Sequence, residues 1–331
     1  MKIDPGQEYP LDAAARPSTP LWSENFALVF ADPVQRVSAL YSIGTWYRDT
    51  SVWRENLAVT MPDGQILVAR NFGRQTGGAV VSASLSRYEI IEPEQSVRLA
   101  FDGPVSTQSF ADLMRSGANG GQTRQLKLDL RFQARAPIWD MHAGHNTDAT
   151  GVAGAMHIEQ LGVCDGSLEV DGQKRAIAGA QSCRDHSRGA RDITQYRNHC
   201  WINGSFPGDR HFQLYIFRMH HIDGIALSLA NVFQGREPHA ATIEQVEYVE
   251  GVADTGKLQT IVLRSALGDM KIAVREVYAT IPITMTAPFN PAVGILNGPH
   301  GQIFDEAIRI EWEGKVGYGW SERGFSKQPI R

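Results

Sequence analysis

The densest set of reactive side chains lies in nine residues, Arg184 to Asp192, which hold three arginines, two aspartates, a histidine and a serine. The stretch follows an alternating run, Lys174 to Ser182, and precedes the aromatics Tyr196, Trp201 and Phe206. Two readings are open. In one, Asp185 and Asp192 pair with Arg188 and Arg191 and brace a loop, so that Arg191 and Asp192 are structural. In the other, Asp185 and His186 stand at the end of a strand facing a cavity. Burial there would raise the aspartate pKa and make Asp185 a proton donor near neutral pH.

Other candidates are sparser. His142 and His145 lie close to Asp140 and Asp148, but no second cluster with metal-ligand spacing completes a site, so no metal is assigned. His142 reads instead as a pocket-lining residue. His220 and His221 are expected on one strand, where they point to opposite faces, so at most one meets a given pocket. His199-Cys200 is a nucleophile beside a base, but neighbouring strand residues diverge and no oxyanion loop follows, which excludes cysteine hydrolase chemistry. Glu24 and Glu159 are open between facing a cavity and forming ordinary ion pairs. No phosphate loop, dinucleotide fingerprint or kinase motif is present.

The elements that must position these residues are strands. Leu57–Met61 and Gln65–Arg70 flank Pro62-Asp63-Gly64, a hairpin whose glycine supplies positive φ. Similar alternation recurs along the whole chain, which predicts an all-β architecture of two barrel or sandwich domains with very few short helices. One helix is expected from Ser106, as N-cap, to Met114, and Ala190–His199 is expected to form a short turn or helix. Gly and Pro crowd residues 136–154, placing the boundary there: an N-terminal domain over 1–145 and a C-terminal domain over 146–331. No internal repeat is visible in the sequence.

The chain has 331 residues, of which 42% are hydrophobic and 21% charged, an ordinary globular composition. A net charge of −4 without a basic stripe argues against nucleic-acid binding. Three cysteines without a paired motif fit a reducing compartment, and neither a signal segment nor a membrane-length apolar run is evident, so a cytoplasmic protein is expected. Oligomeric state is open.

The string Asp185-His186-Ser187-x-Gly189-x-Arg191-Asp192 resembles the signature of a two-domain lipocalin-like superfamily that includes bacterial carotenoid hydratases, AttH-type proteins and fungal Diels–Alder cyclases. His157-Ile-Glu159-Gln160 with Gly162 resembles the strand opening that family's second barrel. Trp201-Ile-Asn203-Gly204-Ser-Phe206, Trp22-Ser-Glu24-Asn25 and Gly317-Tyr318-Gly319-Trp320-Ser-Glu322-Arg323 also match, in the expected order. The resemblance implies a ligand pocket at the junction of two barrels, a hydrophobic, isoprenoid-like or polycyclic substrate, and no metal or organic cofactor. It further implies hydratase, dehydratase or cyclase chemistry with Asp185 as acid, His186 beside it, and Trp46, Tyr196 and Trp201 as faces for a carbocation. Glu24, Glu159 and His142 are further pocket candidates. This chain has Arg188 and Ala190 where close relatives carry Trp and Pro. Arg188 is then a candidate clamp for a carboxylate or phosphate, or a neutraliser of Asp185. The alternative to a lyase or isomerase is a non-catalytic carrier of a hydrophobic or amphipathic small molecule.

Overall fold

The computed structural model describes residues 5–74, 78–117, 120–142, 154–286, 290–296 and 300–330. Alternating side chains make strands almost throughout, and these strands form two antiparallel sheets. The first contains β1 (Trp22–Asp32), β2 (Val37–Trp46), β3 (Asp49–Thr60), β4 (Ile66–Arg74), β5 (Val80–Val81), β6 (Ser86–Glu92) and β7 (Ser96–Gln108). It is completed by β8 (Gln122–Ala134), β9 (Trp139–Asp140), β10 (Met156–Val170) and β11 (Gln173–Ala190). The second contains β12 (Tyr196–Phe206), β13 (Arg210–Met219), β14 (Leu227–Gln234), β15 (Glu237–Gln245) and β16 (Thr260–Ser265). To these it adds β17 (Gly268–Thr286), β18 (Asn290–Val293), β19 (Gly301–Trp312) and β20 (Lys315–Phe325).

Each sheet closes on itself. In the first, β4 pairs with β7, which joins the ends of the path β4-β3-β2-β1-β11-β10-β8-β7 into a ring of eight strands. In the second, β16 pairs with β17 and closes β16-β15-β14-β13-β12-β20-β19-β17 in the same way. Closure leaves few unpaired edges. The chain is thus all-β, with two lipocalin-like barrels despite the absence of a visible repeat.

The sheets divide between Ala190 and Tyr196, not at residue 145. β10 and β11, expected to open the second domain, complete the first ring by pairing with β8 and β1 (Trp22 opposite Ala190). The strands on either side of the Pro- and Gly-rich segment, β8 and β10, both belong to the first ring. Two smaller expectations also shift. Ser106 lies in β7, and the helix α1 (Phe110–Ser116), the one α-helix among the described residues, starts one register later. There Ser109 accepts from the Asp112 N–H and the Asp112 side chain reaches back, a full capping box. Residues 196–199 begin β12, whose pairing with β13 and β20 overrides the local turn signal.

Three main apolar cores result. One fills the first ring (Phe26, Tyr41, Trp53, Tyr88, Phe132). Another fills the second (Ile202, Phe212, Leu214, Ile272, Ile310). The third lies between the rings and draws on both: Val29, Leu40, Leu161 and Cys183 from one side, Trp201, Phe217, Ile283 and Trp320 from the other. Strand alternation therefore gives each of β1, β10, β11 and β12 one face to its own barrel and one to the junction.

Candidate functional site

The junction holds a cavity of about 140 Å³. Its wall is largely apolar (Phe26, Leu40, Trp201, Phe217, Ile283, Met285, Val293, Ile303), with Asn25, Ser42 and Asn56 among its polar groups. Two carboxyl–histidine clusters, one from each barrel, also reach the surface of this cavity.

The first cluster comes from β10 and β11. His157 and Glu159, two residues apart, share a face of β10, and Asp185 is the strand partner of Glu159 on β11. Asp185 Oδ2 is hydrogen-bonded to His157 Nε2, and the same ring nitrogen lies 3.5 Å from Glu159 Oε1. Glu159 is only 1% exposed. Its Oε2 accepts two hydrogen bonds, from Trp201 Nε1 at 2.8 Å and from Gln213 Nε2 at 3.0 Å. Oε1 makes no hydrogen bond to the described residues.

The two carboxyls are driven in opposite directions. Burial, reinforced by the negative charge of Asp185, pushes Glu159 well above the ordinary carboxylate range, and the Trp201 bond offsets only part of this. Burial acts on Asp185 in the same sense, but the charge and hydrogen bond of His157, together with Arg191 and His186, outweigh it and hold Asp185 below its usual value. With both donors on Oε2, the Glu159 proton belongs on Oε1, by the logic of hydrogen-bond satisfaction. With Asp185 ionised, His157 Nε2 carries the hydrogen of their shared bond. The arrangement can therefore offer a proton to the cavity from Glu159. Asp185, whose side chain is 16% exposed, and His157 provide a route by which solvent can restore it.

The second cluster comes from β12, β19 and β20. His199 Nε2 donates to Glu322 Oε1 at 2.5 Å, and Tyr196 Oη donates to His199 Nδ1 at 2.9 Å. Burial pushes the Tyr196 phenol well up, which keeps its hydrogen in place and fixes the Nε2–H tautomer of His199. Asp305 is the strand partner of Glu322 and accepts from Trp320 Nε1 at 2.6 Å. Burial first, and then the charge of Glu322, raises Asp305 well above the carboxylate range. Between the clusters stands Tyr215, whose ring centroid is 6.1 Å from that of His157 and 6.3 Å from that of His199.

The family model described as "Domain of unknown function (DUF7064)" matches residues 8–325. The chain belongs to this family. No curated protein matches its sequence. Solved structures do share its fold. An AttH-type protein of Nitrosomonas europaea superposes with a TM-score of 0.61 at 10% identity, covering 98% of this chain and 97% of that one. CghA gives 0.54 at 9% identity, covering 94% and 90%. Kievitone hydratase of Nectria haematococca gives 0.51 at 13% identity, covering 96% and 92%. This family member accordingly shares the fold of these three proteins.

Of the residues expected at the site, Asp185, Glu159 and Trp201 do line the cavity. Asp185 differs from expectation in being driven toward its charged form. His186 is adjacent on β11 and so faces the other way, into the first barrel, where it stacks on Phe26 at 3.8 Å and bonds Glu24 Oε1 at 3.0 Å. Glu24 is buried there too, taking the Leu11 N–H at 3.1–3.2 Å and lying 3.6 Å from Arg188 Nη1. Arg188 is thus engaged by Glu24 and is absent from the cavity wall. Tyr196 stands behind His199. Trp46 packs edge-on against Tyr47 and Phe72, also off the wall.

The remaining expectations shift as well. His142 lies outside the lining residues, its backbone N–H bonded to Asp140, while His145 and Asp148 lie outside the described residues. Arg191 is buried on the cavity wall and acts on Asp185, whereas exposed Asp192 caps the backbone N–H of Thr194 at 2.9 Å, so these two do not form the expected pair. His220 and His221 follow the end of β13 and sit in a turn. His157, Glu159 and Asp185 bring potential ligand atoms within 4.8 Å of one another, but the Arg191 charge beside them and a protonated Glu159 disfavour a cation.

Sequence reasoning missed His157, His199, Tyr215, Asp305 and Glu322 as cavity groups. A signal existed for one of them: His157 stands two residues before Glu159 on an alternating strand, which places both on one face.

Proposed function

We propose that this protein is an enzyme that acts by proton transfer on a hydrophobic, unsaturated small molecule of isoprenoid-like or polycyclic type, as a hydratase, dehydratase or cyclase. The observation that carries the reading is Glu159: a neutral carboxyl on the wall of an apolar cavity, with both available donors on one oxygen and the proton-bearing oxygen left over. In this role Glu159, not Asp185, is the acid. It protonates an alkene carbon. The resulting cation lies against the faces of Trp201 and Tyr215, and is then captured by water, loses a proton, or closes a ring. Asp185 and His157 return the proton. No step calls on a metal or an organic cofactor.

The cavity has room for on the order of ten water molecules, which suits a compact terpenoid or polycycle better than a long polyene. Kievitone hydratase, a hydratase by name, has a similar fold, and this supports the reading.

The test is incubation of the purified protein with a lipid extract in heavy-oxygen water, followed by untargeted mass spectrometry. A compound that gains labelled water, loses water or isomerises is expected with the unmutated protein. Glu159→Gln should depress that conversion by about 10²–10⁴-fold, and Asp185→Asn less. A ligand retained unchanged by all three proteins would establish a carrier and end the enzymatic reading.

A further inference from the structure

The second carboxyl–histidine cluster has no part in the acid step just described, yet it is built with equal care. Glu322 reaches the cavity surface with its side chain 23% exposed, and its neighbours all act on its orientation. His199 donates to one oxygen, Tyr196 fixes the His199 tautomer, and Asp305 is hydrogen-bonded to it from the neighbouring strand. A carboxylate held between two donors at the rim of an apolar cavity is a base of defined direction. On the facing barrel is Glu159 Oε1, and between the two clusters, on β13 of Glu322's own barrel, is Tyr215. Burial keeps this phenol protonated. A protonated carboxyl and a tyrosine hydroxyl in one apolar site are donors suited to a carbonyl oxygen that gains negative charge.

We propose that the cavity binds hydrophobic ketones and enones, with Glu322 as a catalytic base at the carbon next to the carbonyl and Glu159 and Tyr215 as donors to its oxygen. The inference rests on the placement of the Glu159 proton in the proposed function and names the substrate class for that site. In the step, the Glu322 carboxylate takes a proton from the α-carbon. The C–H electron pair becomes the carbon–carbon π bond of an enol, and the carbonyl π pair moves to oxygen, which receives the hydrogen bond or proton of Glu159. Reversal returns a proton from Glu322 to carbon. No electrons are exchanged with a second reagent.

The probe is 2-tetralone in deuterium oxide at neutral pH, with deuterium at its α-carbon read by mass spectrometry against buffer alone. The unmutated protein should accelerate exchange. Glu322→Gln should lower the protein-dependent rate by about 10²–10⁴-fold, and Glu159→Gln by about 10²–10³-fold. Tyr215→Phe, which keeps the ring, should lower it by roughly tenfold and covers the case in which Glu322→Gln fails to fold. Exposed Asp192→Asn should leave it unchanged. Exchange no faster than buffer, or equal in Glu322→Gln of native circular dichroism, overturns the inference. Labelled-water chemistry on the lipid extract without tetralone exchange would overturn it while leaving the alkene acid in place. Glu322-dependent exchange without any lipid conversion would support it and remove the alkene reading instead.

Discussion

Two carboxyl–histidine groups sit back to back on β11, and they differ in what lies in front of them. On the junction face, Asp185 meets His157 and Glu159 at an open cavity. On the barrel face, His186 and Arg188 converge on Glu24, which also holds the backbone of Leu11, while Arg184 meets Glu8 at 2.7 Å. The second group is joined to itself and to the backbone of Leu11, and so ties the N-terminal segment to the first barrel. The first is left with a proton, at Glu159 Oε1, that no described residue receives. Residue type does not separate the two groups, since both combine carboxyls, histidine and arginine. The face of the strand does.

That contrast is broken most forcefully by exchanging the consequences of a single carboxyl. Glu24→Ala leaves the Arg188 and His186 side chains buried without their anion, and should destabilise the protein by about 3–5 kcal/mol. Any activity should survive in the fraction that folds. Glu159→Gln replaces a neutral acid by a neutral amide that can still accept from Trp201 and Gln213, so its stability should change by less than about 1 kcal/mol, whereas conversion collapses. Urea denaturation with both variants tests this. Equal destabilisation by the two would mean that the junction cluster is a brace like the other.

A second test uses pH, because Glu159 and Asp305 titrate in the opposite sense to His186. Glu159 and Asp305 have raised folded pKa values, against ordinary values of 4.5 and 3.8. They retain protons that the unfolded chain has lost, so their contribution to stability is complete below those ordinary values and is lost as pH rises through the folded ones. His186 is depressed below 6.5, chiefly by burial. There the unfolded chain binds the proton first, so stability is lost as pH falls below 6.5. In the double variant Glu159→Gln, Asp305→Asn only the histidine slope of these two should remain. The stability of the unmutated protein relative to the double variant should therefore fall steadily as pH rises from about 4.5. A difference that grew with pH would show that these carboxyls are ionised in the fold.

Much of the fold is legible in local sequence because strands and turns are local. The Pro62-Asp63-Gly64 turn is formed with Gly64 at a φ of +83°, as the motif requires. Gly189 belongs to the same class: it has a φ of +136°, and a Cβ there would lie 2.3 Å from the Ala155 backbone nitrogen. The domain boundary was not legible, because ring membership depends on pairings such as Trp22 with Ala190 that no neighbouring residue encodes. The site was half legible for a related reason. Alternation declares that Asp185 and His186 diverge, but not which of them meets the cavity, and one step of register would reverse the answer. The role of Glu159 depended on Trp201 and Gln213, contributed by strands of the other barrel.

The smallest effect expected is at Tyr196, and it probes the second cluster where the comparison is finest. Tyr196 is fully buried and bonds His199 at Nδ1, the ring nitrogen opposite the one that meets Glu322. Tyr196→Phe removes one hydroxyl, keeps the packing against Phe217 at 5.3 Å, and should cost about 0.5–1.5 kcal/mol. A brace would show that loss and nothing more. A positioning residue would also release the His199 tautomer, so that Nε2–H is no longer enforced toward Glu322. Nitrogen-15 NMR of His199 should then show the two ring nitrogens moving toward each other in shift, together with a several-fold fall in protein-dependent exchange of 2-tetralone. Unchanged nitrogen shifts in a protein that is merely less stable would reduce Tyr196 to packing, with His199 holding its Nε2–H toward Glu322 without it.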